Sequence, residues 1–161
     1  RRHPGLMSVA PSERVRSSLR RWVARTDLYA PDRHLLVAIT GEDYVEVVDW
    51  RKRQTVHKLK TGKGAHNFLA MGDGRRLLLS NRMANTVSIL DMQDLKVLES
   101  FRVPGGPDDM ELTADGKELW ITSRWLKQVQ VGDLATRRIK HSSPVGRSPH
   151  GIYIHNHAPR R

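Results

Sequence analysis

The stretch Asn85-Thr86-Val87-Ser88-Ile89-Leu90-Asp91 decides the fold, because both its pattern and its closing aspartate recur along the chain. Polar and apolar residues partly alternate through Thr86 to Leu90, as in a half-buried strand. The closing residue belongs to the series Asp49, Asp91 and Asp133, whose successive members are 42 positions apart. Two further features share that interval. Asp73-Gly74-Arg75 returns as Asp115-Gly116-Lys117, and Leu35 returns as Leu77 and Leu119. Asp32 joins the Asp-Gly series if the first copy lacks the glycine.

Within one copy the elements follow in a constant order. In the middle copy a short run from Asn67 to Ala70 leads to the Asp73-Gly74 turn and then to Arg76 to Ser80. A second turn near Met83 to Asn85 precedes Thr86 to Leu90, and Val97 to Val103 closes the unit. Glycine tolerates positive φ and aspartate accepts from the turn amides, so Asp-Gly suits a tight hairpin. The continuous Leu77-Leu78-Leu79 run predicts a strand buried on both faces. Four short antiparallel strands in about 40 to 50 residues are the mark of a propeller blade, not of a helical solenoid.

These residues resemble the YVTN-type β-propeller repeat family. There, a Pro-x-Gly lead-in and an Asp-Gly turn precede Tyr-Val-Thr-Asn and Asn-Thr-Val-Ser-Val-Ile-Asp. The lead-in stands here as Pro107-Asp108-Asp109 and Pro149-His150-Gly151, and the tetrad as Leu78-Leu79-Ser80-Asn81 and Trp120-Ile121-Thr122-Ser123. The third element is nearly intact in Asn85 to Asp91 and looser in Gln128-Val129-Gln130-Val131-Gly132-Asp133. The first copy departs furthest, with Val37-Ala38-Ile39-Thr40 and Tyr44 to Asp49. The likeness covers roughly residues 23 to 155. It implies an all-β propeller of four-stranded antiparallel blades, and an exported, periplasmic or cell-surface setting.

On this register the chain divides into a basic segment at 1–22, blades at 23–62, 63–105 and 106–148, and a further first strand with a tail at 149–161. Met7 to Val9 and Arg14 to Leu19 read as the end of a preceding blade, although Val15, Leu19, Trp22 and Val23 also share one face of a basic helix. Gly151 to His155 reads as the first strand of the next blade. Three full blades flanked by partial ones leave sheet edges unpaired. The expectation is the remainder of a longer propeller chain or closure with copies of the same chain.

Composition narrows the function classes. The 161 residues contain no cysteine, which excludes disulfides, thiolate metal sites and a cysteine nucleophile. No apolar run is long enough to span a bilayer. Gly-x-Ser-x-Gly, His-Glu-x-x-His and phosphate-loop motifs are missing, so catalytic residues stay unassigned; the cofactor is unknown, with none required by the sequence. The formal net charge is +11, and the first 25 residues hold seven arginines against one glutamate. Arg14, Arg16, Arg20 and Arg21 therefore form a candidate edge for an acidic partner or nucleic acid.

The sharpest hint is at the loops that lead into the innermost strands, which open on the channel mouth where propellers take ligands. His66, Asp108 and His150 occupy the same position of three successive copies, with Arg25 in the matching place of the first. Two imidazoles and a carboxylate aimed at one axis suit an anionic ligand or a divalent metal, and Arg25 would favour a carboxylate or phosphate. The competing account is a set of turn-forming side chains that bond their own backbone. No metal site is assigned from the sequence. His155-Asn156-His157 would share a strand face but sits on a terminus. The leading expectation is a non-catalytic propeller that binds a small ligand at its mouth. By resemblance to the lactone hydrolase and haem d1 propellers, the alternative is an enzyme or a haem- or metal-carrying protein using the mouth histidines. Nucleic-acid binding through the arginine-rich edge is a third reading.

Overall fold

The structure is a computed structural model and describes residues 33–156. Strands β1 (His34–Ile39), β2 (Tyr44–Asp49) and β3 (Gln54–Lys60) form one antiparallel sheet. A second sheet holds β4 (Ala65–Ala70), β5 (Arg76–Asn81), β6 (Thr86–Asp91) and β7 (Lys96–Arg102). A third holds β8 (Pro107–Leu112), β9 (Glu118–Ser123), β10 (Gln128–Asp133) and β11 (Arg138–Pro144). Each strand pairs with its sequence neighbour, which is the up-and-down order of a propeller blade. There is no helix among the described residues, and hence none long and apolar enough to cross a membrane. The fold is all-β, a partial propeller. The strand expected ahead of β1, and the basic segment with both its strand and its helical readings, lie outside the described residues.

The hairpins are built by the recurring aspartates. Asp49, Asp91 and Asp133 end β2, β6 and β10, each the last strand but one of its sheet, and one carboxylate oxygen accepts the amides two and three residues on. Those amides are Arg51 and Lys52 at 3.1 and 2.9 Å, Gln93 and Asp94 at 2.9 and 3.2 Å, and Ala135 and Thr136 at 2.9 and 2.7 Å. Such side-chain-to-amide bonds satisfy turn donors that no strand can reach. The turn then closes through Arg53, Leu95 and Arg137, all left-handed at φ of 56°, 47° and 60°. A bulge follows the same period, after Val47, Ile89 and Val131. Arg33 and Arg75 add ion pairs to Asp49 and Asp91 across the sheet end.

Adjacent leucines of β5 face opposite ways, as a pleated strand requires. Leu78 joins Val87, Ile89, Met110, Leu112, Leu119 and Ile121 between the second and third sheets. Leu79 joins Val45, Val47, Leu59, Leu90 and Met92 between the first and second. The strand predicted to be buried on both faces is thus shared by two inter-blade cores. The last strands, β3, β7 and β11, are mostly exposed, whereas β8 is almost wholly buried.

Gly151 to His155, expected as the first strand of a further blade, is not in a strand. Its amide ladder has no second strand to join among the described residues. It does follow the course such a strand would take. The Ile152 amide donates to Asp109 Oδ2 at 3.3 Å, and Thr122 Oγ1 donates to the His150 carbonyl at 2.8 Å. The second contact repeats, one blade on, the bond from Ser80 Oγ to the Asp108 carbonyl, also 2.8 Å.

Candidate functional site at the channel mouth

Two local devices bring polar side chains together where β4 and β8 begin. The first is an irregularity in pairing between Ala65 and Phe68, repeated between Pro107 and Met110. There Asn67 and Asp109 accept the amides of their own following residues, at 3.0 Å in both cases. The amides of Asn67 and Asp109 instead find Ser80 Oγ at 3.1 Å and Thr122 Oγ1 at 3.0 Å. His66 and Asp108 are thereby released from the regular ladder. The second device is a close approach of loops. The amides of Arg82 and Arg124 donate to the carbonyls of Gly64 and Gly106, at 2.8 and 3.1 Å. Gly106 has φ of +69°, and a Cβ on it would lie 2.7 Å from the Trp125 ring, so only glycine lets the two loops meet.

The result is a cluster centred on Asp108, whose side chain is 0% exposed. Its Oδ1 lies 2.6 Å from His66 Nε2, 3.0 Å from His150 Nδ1 and 2.9 Å from Arg82 Nη2. Oδ2 accepts from Arg124 Nη1 at 3.2 Å. Arg82 Nη2 also contacts His66 Nε2, and the two imidazole rings are 6.0 Å apart. Burial opposes charge on Asp108, but hydrogen bonds from Arg82, Arg124 and His150 outweigh it and hold the carboxyl below its ordinary pKa. For His66, burial and then the Arg82 charge push the pKa down against the pull of Asp108.

The cluster unites His66, Asp108 and His150, the three residues that the 42-residue spacing singled out. Arg25, Arg14, Arg16, Arg20 and Arg21 lie outside the described residues. Arg82 and Arg124 are the members that spacing arguments did not select. They had left a signal, since each directly follows the tetrad of its copy, after Asn81 and Ser123. Asn67 and Asp109 extend the cluster inward by a side-chain hydrogen bond between neighbouring innermost strands. Among the described residues, one donor atom from each of His66, Asp108 and His150 lies within 4.8 Å of the other two. Chemically, the site offers guanidinium donors for an anion and a nitrogen–nitrogen–oxygen set for a cation.

Sheets of this order, stacked about innermost strands with a polar cluster at their lead-in loops, define a β-propeller protein. The chain belongs to the YNCE-like beta-propeller family, whose model matches residues 12–160. No curated protein sequence matches it. Among solved structures it is similar to Kuenenia stuttgartiensis hydrazine synthase, at 19% identity and a TM-score of 0.53, over 85% of this chain and 39% of that one. It is also similar to dihydro-heme d1 dehydrogenase NirN in complex with DHE, at 16% identity and a TM-score of 0.58, over 77% of this chain and 27% of that one. The chain therefore spans well under half of either neighbour's length. At these identities the likeness is one of fold.

Proposed function

We propose that this chain is the ligand-binding part of a propeller, and that its channel mouth takes a small anion bearing a carboxylate or phosphate without transforming it. The observation that carries the reading is the sharing of Asp108, a single buried carboxylate, by Arg82 and Arg124. Two guanidinium groups face the one Asp108 carboxylate, while Asp109 is engaged by Asn67 and by the Met110 and Ile152 amides, so the Asp108 cluster has positive charge to spare for a ligand. A guanidinium pinned on one side keeps other N–H groups for a ligand, and its planar fork suits carboxylate and phosphate oxygens. Arg124 is the more accessible of the two, with its side chain 38% exposed against 19% for Arg82. The tetrads and lead-in prolines support placing the repeat in the YVTN-type pattern, where binding without chemistry is the simplest use of such a mouth.

Isothermal titration calorimetry at low ionic strength, with citrate and with inorganic phosphate as probes, tests this. At least one probe should bind, and Arg124→Gln should weaken it by about tenfold, the scale of a charge-assisted hydrogen bond. Absence of binding by both probes, or equal affinity in Arg124→Gln, would overturn the reading.

A further inference from the structure

The geometry points to a second capacity of the same cluster: His66, Asp108 and His150 form a site for one divalent transition-metal ion, with Arg82 standing in the ion's place when it is absent. This goes beyond anion binding and stands without it, since it concerns a cation and needs no organic ligand.

Three observations carry it. The first is the donor set. Two imidazole nitrogens and one carboxylate oxygen gather within 4.8 Å of one another. With metal–ligand distances of about 2.0–2.2 Å, ligand atoms around one ion lie about 3–3.5 Å apart. The observed separations of 2.6 Å from His66 Nε2 and 3.0 Å from His150 Nδ1 to Asp108 Oδ1 are near that range. Nitrogen donors with one carboxylate favour Zn²⁺, Co²⁺, Ni²⁺ or Cu²⁺ over Ca²⁺ and Mg²⁺, which demand oxygen.

The second observation is where Arg82 sits. Its Nη2 touches both His66 Nε2 and Asp108 Oδ1, so a positively charged nitrogen already bridges an imidazole and a carboxylate. That is the position a metal ion would take. Arg82 is an imperfect occupant, because its Nε is buried with no hydrogen-bond partner. A buried donor left unsatisfied is costly, and release of the side chain toward solvent would relieve it. The third observation is that Arg124 holds the other oxygen, Oδ2, at 3.2 Å. With Arg82 displaced, Arg124 would still orient the carboxylate from outside the coordination sphere, as partners of metal ligands do. Three protein ligands leave the remaining coordination positions of the ion open to the mouth.

The test is metal uptake by the intact chain, with Zn²⁺ and Co²⁺ as the ions used. Equilibrium dialysis followed by elemental analysis should give one equivalent for the parent, and Co²⁺ should produce visible d–d absorption. His150→Ala should lose both signals. His150 is 62% exposed, so this variant keeps the fold, with an unchanged far-ultraviolet circular dichroism spectrum as the check. Arg82→Gln, which removes the competing charge, should bind Zn²⁺ about tenfold more tightly. The double variant His155→Ala/His157→Ala should bind as the parent does. No stoichiometric uptake by the parent, uptake undiminished in His150→Ala, or uptake lost only in the tail variant would overturn the proposal. Failure of citrate and phosphate binding, with metal uptake intact, would instead remove only the anion reading.

Discussion

A carboxylate with no exposure to water must be compensated from within the protein, and at Asp108 the compensation is divided among Arg82, Arg124, His66 and His150. Removing the charge strands two guanidinium groups, whereas removing the outer guanidinium leaves the carboxylate with its other partners. Asp108→Asn should therefore destabilise the chain by about 3 kcal/mol, the cost of breaking a buried pair from one side. Arg124→Gln, at a side chain 38% exposed, should cost about 1 kcal/mol or less. Urea unfolding midpoints of the two variants check the contrast. Equal midpoints would mean that Asp108 is not the centre of the cluster. The arginines illustrate what a sequence hides at this scale. Asp108 lies 26 positions from Arg82, across the blade boundary, and 16 from Arg124 in its own blade, so no local pattern joins the three. His66, Asp108 and His150 were legible because they share the repeat interval and the lead-in position; Arg82 and Arg124 share the interval too, but after the tetrad, a place that does not by itself point to the channel mouth.

Among the elements, the hairpin closed by Asp91 shows how a repeat is built twice over, by charge and by geometry. Arg75 beside Asp91 has the largest effect on its carboxyl, and with the Asp94 and Gln93 amides it outweighs burial and lowers the pKa below 3.8. A folded pKa below the unfolded one contributes stability that is complete above pH 3.8 and lost as the pH falls through the folded value. Asp91→Asn keeps an oxygen for the two turn amides but cannot titrate. It should be less stable than the parent at neutral pH, and the gap should close in strong acid. Asp91→Ala loses the amide acceptor too and should remain about 1 kcal/mol less stable than Asp91→Asn at both pH values. Thermal unfolding at the two pH values reads this, and a gap independent of pH would mean that the Arg75 pair contributes nothing. The aspartates and Asp-Gly turns were visible in the sequence. The left-handed conformations of Arg53, Leu95 and Arg137 were not, because none is a glycine or asparagine and the turn closed by the preceding aspartate imposes them.

At the scale of the whole molecule, stability resides between blades, each contacting its neighbours as in other repeat architectures. Leu78 and Leu79 are consecutive in β5 and fully buried, yet they belong to different cores. Leu78→Ala and Leu79→Ala should each cost about 3 kcal/mol. Their effects should separate in space. Hydrogen exchange should accelerate most in β8 and β9 for Leu78→Ala and most in β2 and β3 for Leu79→Ala. The same pattern for both variants would mean that the two interfaces are not independent.

The 42-residue interval, the Asp-Gly steps and the apolar run at Leu77 to Leu79 determined by themselves that the chain folds as antiparallel blades, because turn chemistry and strand burial are local properties. The same interval marked His66, Asp108 and His150 as equivalent. Tertiary structure alone decided that equivalence becomes proximity. Stacking the blades brings the lead-in loops of successive copies around one buried carboxylate, and the glycine at each loop lets an arginine from the next turn reach it.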